Sequence, residues 1–197
     1  LIEAVANDAA GGLPGRVIPF ALHHTASTGI DVWLAALCYG AAGITVLTTN
    51  ADAPQYAQAL DTQMQVAQTV LDGLGYAGPH FQLLRVASAQ ELAVALQHAP
   101  RGEAPAQVAT FNLAQDKRNT LDYTLDHLLR HAHQQPETVA LPVGAPFGAI
   151  VVNKQTCSLC MSCVGACPTS AVMDTPNAPQ LRFVEQNCVQ CGLCATT

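Results

Sequence analysis

Residues 157–168 read C-S-L-C-M-S-C-V-G-A-C-P, and residues 188–197 read C-V-Q-C-G-L-C-A-T-T. The first run has the spacing C-x2-C-x2-C-x3-C-P, and the second repeats its C-x2-C-x2-C part. Three cysteines at three-residue steps can wrap a tight loop around one face of an iron–sulfur cube and present three thiolates to three irons. This spacing is typical of [4Fe–4S] ligands. The candidate ligands are Cys157, Cys160, Cys163, Cys167, Cys188, Cys191 and Cys194.

These motifs resemble the two-cluster bacterial ferredoxins, and the resemblance covers residues 147–197. In that family the fourth cysteine of each run ligates the other cluster. The resemblance therefore implies two [4Fe–4S] clusters in the intact protein. One would be held by Cys167, Cys188, Cys191 and Cys194. The other would be held by Cys157, Cys160 and Cys163 with a fourth ligand beyond Thr197, so we expect it to be incomplete or lost in this chain, which we interpret as a piece of a larger protein.

Two other uses of cysteine remain open. Paired C-x-x-C motifs also hold zinc, but a zinc site takes four ligands, usually in two well-separated pairs. The pattern found here fits zinc poorly, although a zinc-stabilised interaction module stays an alternative. Disulfides suit small secreted domains, and a chain of 197 residues is not small.

Length and charge limit the classes of partner. There is room for one ordinary domain and one small one, and the formal net charge is -6. Lys and Arg form no cluster, so we expect no nucleic-acid partner. An acidic surface suits redox partner proteins with a basic docking face. The uncharged stretch 32–49 is interpreted as a buried helix followed by a buried strand and not as a membrane span.

Apolar periodicity predicts alternating strands and helices before residue 134. Predicted strands lie at 17–22, 44–48, 81–86 and 108–113, and predicted helices begin at Ile30, at Asn50 or Asp52, at Ser88 and at Asp116. The last helix is expected to bury the face Leu121, Leu125, Leu128 and Leu129. This alternation predicts an α/β fold, with a parallel sheet and helices on both of its faces.

The same patterns predict the division into domains. An α/β domain is expected over residues 1–133, a Pro- and Gly-containing linker over 134–146, and a small ferredoxin-like α+β iron–sulfur module over 147–197. Within the module, strands are predicted at 148–153 and 181–184.

A few motifs outside the cysteine runs need an interpretation. Gly73, Gly75 and Gly78 spell G-x-G-x-x-G, but they follow a predicted helix, which indicates a helix-terminating turn and not a dinucleotide site. The segment His23–Thr28 follows the first predicted strand, where open α/β sheets bind ligands. It is a candidate ligand site, and the alternative is that its hydroxyls only cap the next helix.

Other reactive side chains give weaker signals. A metal site at His127, His131 and His133 is not favoured, because no acid or cysteine stands at a matching spacing. Cys38 lies on the apolar face of a predicted helix and is interpreted as an inert core thiol. We find no nucleophile–base pair and no P-loop, so catalysis by this chain stays open.

The α/β part carries a second resemblance. Residues 17–31, V-I-P-F-A-L-H-H-T-A-S-T-G-I-D, and 34–47, L-A-A-L-C-Y-G-A-A-G-I-T-V-L, are similar to the delta subunit of methyl-viologen-reducing hydrogenases, over residues 17–90. That family's [2Fe–2S] cysteines would fall near His23 and near 49–54, and none is present. The resemblance implies a docking or structural role without that cluster.

Together these features predict electron transfer through [4Fe–4S] clusters in a larger redox protein or complex. The alternative is an iron–sulfur subunit of an oxidoreductase with a ligand site near His23–Thr28. Reduced thiolates and oxygen-sensitive clusters predict a cytoplasmic location.

Overall fold

The structure, a computed structural model, describes residues 1–7 and 12–197 and divides into two compact units, Leu1–Pro142 and Val143–Thr197. The first unit contains the helices α1 Ile2–Ala6, α2 Ile30–Cys38, α3 Pro54–Gly73, α4 Ala89–Gln97 and α5 Lys117–Arg130 and the strands β1 Ile44–Thr48 and β2 Phe81–Arg85. The uncharged stretch 32–49 thus forms α2 and β1, as predicted. Among the described residues, no helix is long and apolar enough to cross a membrane.

The predicted parallel sheet is present as two strands, β1 and β2, paired from Ile44 opposite Phe81 to Thr48 opposite Arg85. Neighbouring residues of a strand point to opposite faces of the sheet, so the side chains of β1 and β2 pack into two separate apolar clusters. One cluster joins Val46 to Trp33, Leu60 and Met64. The other packs Leu47 and Leu84 against Val5, Val86, Leu92 and Leu96. Helices on both faces of a larger sheet stay a prediction.

The strand predicted at 17–22 is wrong. This segment has no strand partner, and Ile18 and Phe20 are 89% and 80% exposed. Pro19 lacks a backbone N–H and therefore cannot donate to a strand ladder. The apolar run 17–22 thus has the length of a strand, but it is not buried.

The strand predicted at 108–113 is also wrong, because its backbone bonds to other groups. The Ala109 N–H donates to the Cys38 carbonyl oxygen at 2.8 Å, and the Tyr39 hydroxyl donates to the Phe111 carbonyl oxygen at 2.6 Å. These bonds tie the segment to the end of α2 and satisfy polar groups that a strand would have paired in a ladder.

Two of the predicted helix starts are confirmed by their caps. The Ser88 hydroxyl accepts from the Glu91 N–H at 3.2 Å, and the Asp116 carboxylate accepts from the Asn119 N–H at 2.8 Å. Both bonds satisfy backbone donors that the first turn of a helix leaves free.

The predicted cap of α3 is wrong. The Asp52 carboxylate accepts from the Thr49 N–H at 2.6 Å and so closes the loop after β1 instead. Ala53 is the N-cap residue of α3, and Pro54 takes the first helical position. Proline suits that position because its fixed φ is helical and its missing N–H would have had no partner there.

Helix α5 buries a slightly different face from the one predicted. Leu121 and Leu128 are buried, Leu129 is 43% exposed, and Thr124 is buried in its place. The spacing of the buried residues by three and four positions is that of one helical stripe. This stripe belongs to the helix that packs against α2.

The second unit contains a hairpin between two short helices. Its elements are α6 Ser162–Ala166, β3 Val172–Thr175, β4 Ala178–Phe183 and α7 Leu193–Thr196. Strands β3 and β4 are antiparallel, and β4 includes most of the predicted strand 181–184. The strand predicted at 148–153 is wrong. Asn153 accepts hydrogen bonds from the N–H groups of Gln155 and Cys157, so the chain turns there into the first cysteine run.

The core of the first unit leads to a test of stability. His80 is fully buried, its Nδ1 accepts from the Gln68 amide at 3.3 Å, and its Nε2–H donates to the Glu103 carbonyl oxygen at 3.0 Å. A Cβ on Gly102 would overlap this fixed ring. We expect Gly102→Ala to cost about 1–3 kcal/mol of unfolding free energy, as overpacking does, measured by denaturant unfolding.

The control is Gly15→Ala, because a Cβ there meets no atom within 4 Å. That variant is expected to stay within about 0.5 kcal/mol of the unaltered chain. Equal losses in the two variants would show that the contact with His80 is not the cause.

Candidate iron–sulfur centre

The two cysteine runs have the same backbone conformation. Leu159 and Met161 in the first run have φ of 56° and 62°, and Gln190 and Gly192 in the second have 55° and 76°. In each run these residues stand two and four positions after the first cysteine. A short helix, α6 or α7, then begins at the next residue. Two separate stretches of chain thus form one type of loop.

This loop conformation is unusual for the residues that adopt it. A left-handed backbone costs a residue with a side chain about 1–2 kcal/mol, and Leu159, Met161 and Gln190 all have one. Successive residues that alternate between right- and left-handed conformations turn their N–H groups into a concave surface that binds anions, iron–sulfur clusters included. The left-handed residues at matching positions of both loops are consistent with such a surface.

Cys167 sits where the backbone stabilises a thiolate. The backbone N–H of Val172, followed by those of Thr169 and Ala171, lowers the pKa of the Cys167 thiol to about 7. The Ala171 N–H lies 3.2 Å from the sulfur. Iron binds the deprotonated form of cysteine, so a thiol that ionises near neutral pH is a suitable ligand.

Side chains of the loops also approach the sulfurs. Ser162 Oγ is 3.4 Å from Cys160 Sγ, and its hydrogen bond is the main cause that lowers the pKa of that thiol. In the second run, the Gln190 amide donates to Cys188 Sγ at 3.6 Å. Sequence reasoning missed both of these polar partners, because serine and glutamine carry no metal-ligand signal of their own.

The cysteines differ in accessibility, and none of them is bridged to another. All eight are free thiols, and those of the two runs are exposed or half-buried. In the part of the chain that the structure describes, no three His, Cys, Asp or Glu side chains are close enough to hold one metal ion. A cluster distributes its thiolates over several irons, whereas zinc gathers four ligands within about 2.3 Å of one ion. The assignment of all seven cysteines as cluster ligands stays a prediction.

The three histidines near the end of α5 are not brought together. His133 pairs with the Glu103 carboxylate at 2.6 Å, while His127 bonds to the Gln107 carbonyl oxygen at 2.9 Å. The rings of His127 and His131 lie 4.6 Å apart, without a third ligand among the described residues.

Cys38 lies in the core, as its sequence position indicates. Burial raises the pKa of its thiol to about 12, and the thiol donates to the Thr124 carbonyl oxygen at 3.7 Å. A buried thiol that stays protonated is a poor nucleophile and a poor metal ligand.

The turn rich in glycine ends a helix, as predicted. Helix α3 stops at Gly73, and Gly75 and Gly78 have φ of 85° and 87° in the turn that leads to β2. Positive φ is the conformation for which glycine is preferred. The motif therefore terminates a helix and does not open one.

The segment His23–Thr28 forms a 3₁₀ turn that contacts β1 and α3. The His24 ring lies edge-on to Tyr56 at 4.8 Å. Hydrogen bonds from Thr49 lower the pKa of Asp52, and the nearby side chains of His24 and Arg85 lower it further. Asp52 follows the carboxyl end of β1 at Thr48, and Arg85 is the last residue of β2.

The alternative for this segment, that its hydroxyls cap α2, is wrong. Gly29 is the N-cap residue of α2, and the side chain that accepts from the first N–H of the helix, that of Ile30, is Gln63, at 3.3 Å. The Thr28 hydroxyl instead accepts from the Trp33 indole N–H at 3.3 Å.

Comparison with protein families finds a match within the second unit. Residues 149–197 match the family described as the 4Fe-4S dicluster domain. No curated protein matches the chain, and no solved structure matches it either. The family match supports a ferredoxin-like 4Fe-4S module and iron–sulfur electron transfer. The resemblance of residues 17–90 to the hydrogenase delta subunit has no support from these comparisons.

Proposed function

We propose that this protein transfers electrons through two [4Fe–4S] clusters bound by the seven cysteines of its two runs. The observation that carries the proposal is the repeated loop. Two C-x2-C-x2-C runs fold alike, with left-handed residues at matching positions, inside the segment that matches the dicluster family. Each cluster, when bound, exchanges one electron, and the chain supplies thiolates, backbone N–H groups and a docking surface.

The ligand sets follow the crossed arrangement of two-cluster ferredoxins. Cys167 joins Cys188, Cys191 and Cys194, and its low thiol pKa favours this role. Cys157, Cys160 and Cys163 hold the other cluster with an eighth ligand from outside these seven cysteines. Contact between α6 and α7, the helices that follow the two loops, is consistent with neighbouring clusters.

The partners are redox proteins within a larger protein or complex. Residues 1–142 contain 12 Asp and Glu against 6 Lys and Arg, and residues 143–197 contain 2 of each kind. The net charge of -6 therefore belongs entirely to the first unit. A basic docking face on the partner would be attracted to that unit. The need for reduced thiolates makes the cytoplasm the expected compartment.

Metal analysis tests this function directly. On protein purified without oxygen, we expect iron and acid-labile sulfide in equal amounts and, after dithionite reduction, the EPR signal of a reduced [4Fe–4S] cluster. Cys38→Ala is the matched control, because this buried cysteine lies outside both runs, and it should keep the full iron content. Zinc without sulfide would instead show a zinc-stabilised interaction module.

A second candidate function is an oxidoreductase subunit with a ligand site near His23–Thr28. The position of His24 beside Tyr56 and close to Asp52, a residue that follows the end of β1, favours it. Open α/β sheets bind ligands at such edges. A flavin or nucleotide released from the purified protein, and lost in His24→Ala, would support this candidate. Purified protein without either would contradict it.

A further inference from the structure

The two cysteine loops differ at one matching position. Gln190 and Leu159 each stand two residues after the first cysteine of their run, and their φ angles are 55° and 56°. The backbone is therefore the same, and only the side chain differs. Gln190 carries an amide that donates to Cys188 Sγ at 3.6 Å, whereas leucine has no polar atom to offer.

Gly148 leaves space for the Gln190 amide. A Cβ placed on Gly148 would meet the Nε2 atom of Gln190. An alanine in place of Gly148 would therefore displace the donor from the sulfur. The position of the Gln190 side chain thus depends on a glycine in a distant part of the same unit.

We propose that Gln190, accommodated by Gly148, is a positioning residue that raises the reduction potential of the cluster held by Cys188. This inference rests on the proposed function. Reduction adds one electron to the cluster and forms or breaks no covalent bond, so the ligand sulfurs become more negative. A hydrogen bond to such a sulfur stabilises the reduced cluster more than the oxidised one, and hydrogen bonds of this kind are a recognised control of cluster potential.

The two loops place different side chains near the sulfurs. In the first run, the hydroxyls of Ser162 and Ser158 hydrogen-bond with Cys160. Under crossed ligation the second cluster has the Gln190 amide on Cys188 and the Ala171 N–H on Cys167. The Gln190 amide therefore gives the second cluster a donor at a loop position where the first run has Leu159.

The test is Gln190→Leu in the full chain, which copies the residue of the first loop. Leu159 shows that leucine takes this backbone conformation, so the loop is expected to fold. In an EPR-monitored titration with dithionite, the Cys188 cluster should keep its iron but require a lower potential for reduction. Its signal is assigned as the one that Cys191→Ser removes. The exchangeable-proton coupling seen by electron–nuclear double resonance should weaken in the same variant.

Gln180→Leu is the matched control, because Gln180 is an exposed residue of β4, and it should leave the potential unchanged. Gly148→Ala displaces the Gln190 amide and also places a side chain at a φ of 156°, so its iron content is measured first; with the cluster assembled, it should lower the same potential as Gln190→Leu. An unchanged potential and proton coupling in Gln190→Leu, with the cluster assembled, would overturn the inference. An equal shift in Gln180→Leu would do the same. Failure of the unaltered chain to bind any cluster would refute the proposed function instead.

Discussion

Replacing Cys167 with alanine is expected to abolish the cluster of Cys188, Cys191 and Cys194, although Cys167 lies in the other run. In the proposed crossed ligation, its thiolate is the fourth ligand of that cluster. Backbone N–H groups lower the pKa of this thiol to about 7, so the variant removes a thiol that readily takes the deprotonated form that binds iron. Iron content should fall by up to about four atoms per chain, or by about one if a [3Fe–4S] core remains.

The matched variant is Cys160→Ala, which should affect only the cluster of the first run. EPR spectra of the two variants, reduced in parallel, measure which signal each one loses. The two losses should differ in spectrum, and Cys38→Ala should lose neither. The crossed arrangement is wrong if Cys167→Ala and Cys160→Ala remove the same EPR signal and both keep the signal that Cys191→Ala removes. Each run would then ligate its own cluster.

The sequence predicts which residues would ligate the clusters, but it does not predict the conformation of the loops that carry them. Cysteine spacing reflects the geometry of a cluster, because each thiolate must reach its own iron. The left-handed residues Leu159, Met161 and Gln190 give no such signal, since residues with side chains rarely adopt positive φ. Only Gly192 stands at such a position with the residue type that predicts it. The similar conformation of the two loops is therefore found only in the structure.

The fold was predictable where burial and periodicity agree. Helix α2, strand β1 and strand β2 have apolar residues at the spacing of their structure, and all three are present. The runs 17–22 and 108–113 look equally apolar but form no strand. Apolar composition does not show whether a segment has a strand partner. In the run 17–22, Pro19 disfavours strand pairing, and in the run 108–113, the backbone bonds to the end of α2 instead. Strand β3 was missed because four residues are too few to show alternation.

Replacing Leu128 with alanine is expected to destabilise the first unit by about 2–5 kcal/mol, the usual cost of removing a fully buried leucine. Leu128 is 0% exposed on α5, the helix that packs against α2. The cysteine runs lie in the other unit, Val143–Thr197. If the two units are stable independently, denaturant should unfold the helices of the variant earlier, while the visible absorbance of its clusters is lost at an unchanged concentration.

Leu129→Ala is the matched control, because it makes the same chemical change on the next residue of α5, whose side chain is 43% exposed. We expect a loss within about 0.5 kcal/mol for this variant. Far-ultraviolet circular dichroism follows the helices, which belong mostly to the first unit, and visible absorbance follows the clusters. Simultaneous loss of both signals at a lower denaturant concentration in Leu128→Ala would mean that the α/β unit and the iron–sulfur module unfold as one, contrary to the predicted division into two domains.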